Sequence, residues 1–588
     1  MKDLSYINDS IHGLIPISGI EKEVISSSAF NRLHDIYQNS TVYLTFPSNR
    51  TKRFEHSLGT MKLCSDMFYF SLLNSNKNDL NNFIKSFEKD IDLDCIEESI
   101  FDSQFLNLLL PNTITKKKHK KIYFILIEAI RLAALLHDIG HPPFSHVIEN
   151  VLSDIYKKLE NEKIKSNKSV KKYIKCIKKF KKNGKQLHEE IGIYIVDKYI
   201  RKSIIKKDSN SKEVINLIFN FIINIYNEYN HIYKSLHSII DSSLDGDRLD
   251  YLTRDYINSG INNGIINYTR IISSMKLIYD KKEYKFCFPI KSLSAIEDVL
   301  QRRFNLYKNI LYHHRVIKTN FLLSDSIESL IESHLKNNYD KNNEDYIKYS
   351  NDISGLWKLL LNKKYISQWN DAWIFNLLKN VYFNKNNKLF GISKYSIEEL
   401  ITNRRHYHSL IKRIEDFKVI DDSRLEVINN LLKKKEFKLQ SILIGDLKDD
   451  DIKNENYYIK NGFCISEYLI RANEIIENIE GDIENLFSGR DYYIVFLDKS
   501  TGISKEINLF KDIGNNNYEL FKLQKISNIN NVLNSYWKYF PSFYIYTKKE
   551  YEDYNKKIKE LKNIGKKIWY YIFNKLIDIN KKGETNDK

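Results

Sequence analysis

The chain has 588 residues, 42% hydrophobic and 28% charged, which is enough apolar material for a buried core and excludes a wholly disordered chain. Lys and Arg number 92 against 75 Asp and Glu, and a surplus of +17 attracts polyanions such as nucleotides, nucleic acid or acidic lipid. No apolar run reaches membrane-spanning length, and the first residues (MKDLSYINDSIHGL) lack a signal-peptide core, so neither export nor membrane insertion is expected. Cys64, Cys95, Cys176, Cys287 and Cys464 are scattered, odd in number and without a CxxC pair, which disfavours disulfides and a thiolate zinc site and suits a reducing cytoplasm.

Only seven prolines and 19 glycines interrupt the chain, and helical periodicity dominates it. In chain order, residues 74–94 form a polar insertion, and Ile122 to Leu136 predicts a helix. A lysine-dense insertion follows at 157–185, then helices from Val214 to Tyr229 and from Leu293 to Ile317, and a third polar insertion at 336–351. The lysine run NKSVKKYIKCIKKFKKNGK reads as a solvated helix face before it reads as a contact for single-stranded nucleic acid. These segments predict one helical body over 1–420. Beyond it, DYYIVFLDK and PSFYIYTKK predict strands and KEYEDYNKKIKELKNIGKKIWYYIFNKL a long helix, so 421–588 is expected to be a smaller α+β module. The fold class is therefore mainly α.

The segment IRLAALLHDIGHPPFSHVIENVL concentrates the chemistry. Leu132, Ala133, Leu135, Leu136 and Ile139 make it apolar on nearly every side and predict burial, yet it carries His137, Asp138, His141 and His146. A buried carboxylate costs several kcal/mol unless it is paired or bound to a cation, and imidazole with carboxylate suits a divalent ion such as Mn, Mg, Fe, Ni or Zn. Upstream, TKRFEHSLGTMKL places His56 at the head of a helical run. Downstream, DSSLDGDRLDYLTRDYINSG interleaves Asp241, Asp245, Asp247, Asp250 and Asp255 with Arg248 and Arg254. The order His, His-Asp, Asp offers four ligands of the types a catalytic cation needs.

With these residues in that order, the sequence resembles the HD-domain phosphohydrolase superfamily, and within it the deoxynucleoside triphosphate triphosphohydrolase (dNTPase, dGTPase) branch. The resemblance runs through NDSIHGLIPIS, FNRLHDIYQNSTVYLTFPSNRTKRFEHSLGT, LLHDIGHPPFSH, LHEE and DGDRLDYLTRD, with weaker matches in RRFNLYKNILYHHRV and TNRRHYHSLIKR. It implies an HD-type helical bundle with His56, His137, Asp138 and Asp247 as metal ligands and Asp245 as the fallback for the last. It implies catalytic roles for His141 and His188 around the leaving group and attacking water, with Glu149 as the acidic partner orienting His141, and leaves His146 to fix the HPPFSH turn. Arg53, Arg248 and Arg303 would hold phosphate oxygens; Gln38, Tyr251 and Asp255 would read the sugar; Tyr312 and His313 would line the nucleotide pocket.

The implied reaction is metal-dependent release of tripolyphosphate from a dNTP by a homo-oligomer, serving nucleotide-pool control or phage defence. Asn8 is kept from the region where relatives bind activating nucleotides, but Ser5, Ser26, Asn31 and His34 replace groups that would meet guanine there. Leu311 replaces an aromatic that helps sugar discrimination in some relatives. The alternatives are an HD phosphohydrolase acting on another nucleotide or on single-stranded ends, and a non-catalytic scaffold that binds nucleic acid.

Overall fold

The structure, a computed structural model, describes residues 4–161, 168–181, 185–208, 211–261, 266–336, 365–383, 394–433, 492–497, 505–515, 517–538, 540–541 and 543–586. It is mainly helical, and by contacts it divides into two units. The first comprises Met1–Leu311, Thr319–Thr402 and Ile503–Asn530; the second comprises Tyr312–Lys318, Asn403–Gly502 and Asn531–Lys588.

At the centre of the first unit, helix Arg53–Leu73 packs against helices Lys117–Leu136 and Gly246–Asn258. Every residue from Ile122 to Leu136 is buried, as the apolar sequence requires. The crossing with Gly246–Asn258 depends on two glycines. A Cβ on Gly59 would lie 1.9 Å from Asp250 Oδ1, and one on Gly246 would lie 2.4 Å from Cys64 Sγ. Bare backbone on both helices lets them approach closely enough to bring His56 and Asp247 together. An N-terminal hairpin, β1 (Ser5–Asp9) and β2 (Gly13–Ile17), pairs antiparallel and lies beside helix Arg53–Leu73.

The first predicted helix lies within Lys117–Leu136 and the second corresponds to Lys212–Tyr226, ending three residues before the expected Tyr229, while Leu293–Ile317 resolves into Leu293–Leu306, a π-helical turn Tyr307–Leu311 and helix His314–Lys336. Two of the polar insertions contain helices, the second with the solvated lysine face expected of it. Helix Lys77–Lys85 buries Leu80, Phe83 and Ile84, and helix Lys168–Phe180 buries Val170, Tyr173, Ile177 and Phe180 while Lys171, Lys175, Lys178 and Lys179 face solvent. Apart from Lys336, the insertion at 336–351 lies outside the described residues.

The boundary drawn near 420 is not a single cut in the contacts. Strands β3 (Lys276–Asp280) and β4 (Glu283–Pro289) form a hairpin whose β4 pairs parallel with β7 (Asn508–Asp512), which pairs antiparallel with β8 (Tyr518–Lys522). Part of the C-terminal sequence thus completes a sheet of the first unit. In the second unit β9 (Phe543–Thr547) lies between β5 (His408–Ser409) and β6 (Tyr492–Phe496), and helix Tyr554–Asn586 packs along Ile414–Lys433. The strand and helix expectations for this region correspond to β6, β9 and that last helix.

Candidate metal centre and active site

Helix Lys117–Leu136 ends at the His-Asp pair, with His137 as its C-cap. His56 reaches the same place from the first turn of Arg53–Leu73, and Asp247 from the first turn of Gly246–Asn258. His56 Nε2 lies 2.9 Å from Asp247 Oδ1 and 3.6 Å from Asp138 Oδ2. His137 Nε2 lies 3.4 Å from Asp138 Oδ1 and 3.7 Å from Asp247 Oδ1. The four residues expected as ligands therefore converge, and ligand atoms of His56, His137 and Asp247 all fall within 4.8 Å of one another.

The other ring nitrogens establish how these imidazoles are protonated. His56 Nδ1 is 2.7 Å from Asp250 Oδ2, and His137 Nδ1 is 2.7 Å from the Ala134 carbonyl oxygen. An ionised carboxylate and a carbonyl only accept, so both rings hold a proton on Nδ1 and turn Nε2 toward the cluster. Both Nε2 atoms are buried without a hydrogen-bond partner. Such orphaned nitrogens beside two carboxylates cost free energy unless a positive charge sits among them, and a divalent cation supplies it. With no cation, burial opposes charging of His56, but the neighbouring Asp247 and Asp250 carboxylates prevail and push its pKa up to about 10. The donor set fits a divalent cation.

Asp138 also receives the Arg53 guanidinium, and its Oδ1 lies 3.2 Å from His141 Nε2. Burial works against its charge, yet Arg53, His137 and His141 hold it well below the usual carboxylate range. Arg53 donates through Nε to Ser145 Oγ at 2.9 Å and is almost fully buried. In this structure it braces the Asp138 carboxylate. Asp245 is the N-cap of its helix, with Oδ1 accepting from Arg248 N at 2.7 Å and Oδ2 from Ser242 N at 2.5 Å. Asp245 is thus engaged as a cap, and the group of possible ligand atoms comprises His56, His137 and Asp247.

Beside the metal cluster, His141, His146, Glu149 and His188 form a second group. His141 stacks on His188 with centroids 3.9 Å apart. Glu149 accepts from His146 Nδ1 at 3.0 Å, and from both the backbone N and Nδ1 of His188 at 3.0 Å. Burial would raise Glu149, but its bonds to His146 and His188 hold it far below its ordinary value. Two expectations change here. Glu149 orients His146 and His188, because His141 is committed to Asp138. His146 does not pin the turn: its side chain is 60% exposed and its contacts are with Glu149 and the His141 and His188 rings. The turn itself is set by positive φ at Phe144 (53°) and Ser145 (54°), with Asp371 Oδ1 accepting from Phe144 N at 2.7 Å.

The expected substrate residues separate into three groups. Gln38 and Asp255 are joined through Thr51: Gln38 N donates to its carbonyl at 2.9 Å, and its side chain bonds Asp255. Gln38 Oε1 and Asp255 Oδ1 are both buried acceptors without a partner, and burial raises Asp255 to about 6. Tyr251, Arg248 and Arg303 are electrostatic neighbours, and burial raises the Tyr251 phenol. Arg248 is turned to Asp245 and, at 3.5 Å, Asp241, so its guanidinium is already paired. Arg303 is nearly buried over the Tyr307 ring, and its Nε has no partner. Tyr312 and His313 belong to the second unit, where the Tyr312 carbonyl accepts from Tyr544 and His313 Nδ1 from Arg315 N.

Sequence reasoning missed the residues behind these groups. Asp250 holds His56 and also binds Arg254 and His12; Arg32 donates to the carbonyls of Ile139, His141 and Trp369 and so ties down the His-Asp turn. The one available signal was Asp250 standing three residues after Asp247, about one helical turn away. His12 and Arg32 lie in NDSIHGLIPIS and FNRLHDIYQNSTVYLTFPSNRTKRFEHSLGT, which carry the resemblance, but sequence reasoning assigns them no role there, and nothing local marks Asp371.

Residues 116–252 match the family model described as HD domain, a span that includes His137, Asp138 and Asp247. An uncharacterized protein of Methanocaldococcus jannaschii is 27% identical over 313 residues, 53% of this chain and 47% of that protein. An HD domain-containing protein of Acanthamoeba polyphaga mimivirus is 25% identical over 327 residues, 55% of this chain and 57% of its own length. The protein named deoxynucleoside triphosphate triphosphohydrolase SAMHD1 homolog of Dictyostelium discoideum is 24% identical over 334 residues, 55% of this chain and 49% of its own length. The chain spans about half the length of these curated relatives. The family match and the relatives point the same way as the ligand geometry: residues 116–252 match the HD domain, and the chain is similar to HD-domain proteins, among them one named a deoxynucleoside triphosphate triphosphohydrolase homolog.

Proposed function

We propose that this protein is a metal-dependent phosphohydrolase that cleaves deoxynucleoside triphosphates to deoxynucleoside and tripolyphosphate. The observation that carries the reading is the pair of buried, partnerless Nε2 atoms of His56 and His137 facing Asp138 and Asp247. A divalent cation held by these four residues would polarise a phosphate oxygen and lower the pKa of bound water.

The chain's own residues supply the rest. Glu149 fixes the Nδ1 protons of His146 and His188, so each Nε2 would serve as a proton donor for the departing 5′-oxygen or an acceptor from the attacking water. His141 stacks on His188 and braces Asp138, so it positions both groups. Arg303 and, on release from Asp245, Arg248 would offset charge on the phosphates. Gln38 Oε1 and Asp255 Oδ1 are buried acceptors, to one of which the sugar 3′-hydroxyl would donate, and Tyr251 would exclude a 2′-hydroxyl. Assembly into a homo-oligomer belongs to the same reading.

Purified full-length chain, stripped with chelator and reloaded with Mn²⁺, is incubated with each dNTP and the phosphate products are separated. Tripolyphosphate is the expected product, lost on chelation and restored by the ion. Orthophosphate or nucleoside monophosphate would shift the reading to a different HD phosphohydrolase, and no turnover with bound metal would count against nucleotide hydrolysis altogether.

A further inference from the structure

The N-terminal hairpin is fastened to the helix that carries Asp247, and its attachment ends on a candidate metal ligand. Asp9, at the end of β1, accepts from Ile11 N and His12 N at 2.9 Å and so shapes the turn that presents His12. The same carboxylate meets Arg254 Nη1 at 3.0 Å and Nη2 at 3.2 Å. His12 Nε2 lies 2.6 Å from Asp250 Oδ1, and His12 Nδ1 lies 3.2 Å from the Tyr268 hydroxyl. Arg254 grips both Asp250 oxygens, Nε to Oδ2 at 3.0 Å and Nη2 to Oδ1 at 2.9 Å. The second Asp250 oxygen holds His56 Nδ1 at 2.7 Å.

We infer that His12 is a positioning residue for the metal centre, acting through Asp250 to set the orientation of the His56 ring and hence cation affinity. Asp250 is fully buried, and each of its oxygens takes two donors: His12 and Arg254 on Oδ1, His56 and Arg254 on Oδ2. Four donors in two pairs leave the carboxylate one orientation. Without His12, Oδ1 keeps only Arg254, whose fork can follow the carboxylate as it turns, and the bond to His56 Nδ1 loses its fixed direction. A partner that orients a ligating imidazole and supports its basicity contributes to metal affinity even though it never touches the ion. The consequence is that the seat of the hairpin on helix Gly246–Asn258 and the strength of metal binding are coupled.

This inference rests on His56 being a metal ligand. The full-length chain is stripped of metal, and Mn²⁺ affinity is measured by competition with a chelator for wild type, His12→Leu and His12→Gln. The melting temperature of each metal-free protein is recorded alongside. His12→Leu is expected to weaken Mn²⁺ binding by about tenfold, the lower end of the effect of removing an outer-shell partner. His12→Gln, whose amide can still donate to Asp250, restores most of it. Should the leucine variant not fold, His12→Asn, too short to reach Asp250, takes its place. Equal Mn²⁺ affinity in wild type and His12→Leu overturns the inference, and so does an equal loss in the leucine and glutamine variants that follows their melting temperatures. A folded wild type that binds no Mn²⁺ removes the metal centre and this inference with it.

Discussion

Gly59 and Asp250 face each other so closely that the carboxylate occupies the space a side chain at position 59 would need, 1.9 Å from the Cβ position to Oδ1. The carboxylate displaced by such a side chain is the one that holds His56. Gly59→Ala is therefore expected to cost about 1–3 kcal/mol of stability through overpacking, together with a loss of Mn²⁺ affinity. Urea unfolding of the metal-free protein and a metal titration check the two effects separately. An alanine variant as stable as wild type would mean that the two helices separate freely.

Asp245 and Asp247 are two residues apart and do different work. Asp245→Ala is expected to lose the helix cap, about 1–2 kcal/mol, and to keep the bound cation. Asp247→Ala is expected to lose the cation and, with it, hydrolysis. Metal content after gel filtration of the two variants distinguishes them; the reverse pattern would move the fourth ligand to Asp245.

Glu149 orients two imidazoles at once, so Glu149→Gln should lower kcat by about 10²-fold or more while the cation remains bound. Steady-state kinetics with metal analysis of the same preparation test this. Retention of wild-type kcat would exclude the Glu149 network from proton transfer.

Asp371 accepts backbone N–H groups from Tyr37 and Phe144, yet burial outweighs those bonds and raises its pKa to about 7. Its unfolded value is near the ordinary carboxyl range, so between about pH 4 and pH 7 the folded state binds more protons than the unfolded state. This group's contribution to stability is complete below that window and declines as pH rises through 7. The urea midpoint of wild type should fall across it relative to Asp371→Asn, whose side chain does not titrate. Parallel pH profiles for the two proteins would assign the titration elsewhere.

Much of the architecture was legible in local sequence because period and composition act locally. The apolar run ending at His137-Asp138 had to be a buried helix, the C-terminal alternations had to be strands, and imidazoles beside carboxylates in such a helix had to find a cation or pay for burial. Lys77–Lys85 escaped this reading because its three buried residues are diluted by Asn, Asp and Lys.

What the amino-acid order alone determined is a mainly helical chain that carries His, His-Asp and Asp in an order resembling that of HD domains. The tertiary structure decided which partner each polar group takes. Among neighbouring aspartates on one helix, the 3.6-residue period sends Asp247 to the cluster and Asp250 behind it, while the cap position claims Asp245. His12 and Asp371, hundreds of residues apart in sequence, bear on one site because hydrogen bonds are made in space, and no local pattern records a bond between distant positions. Strand β7 makes the same point, since its partner β4 lies more than 200 residues earlier.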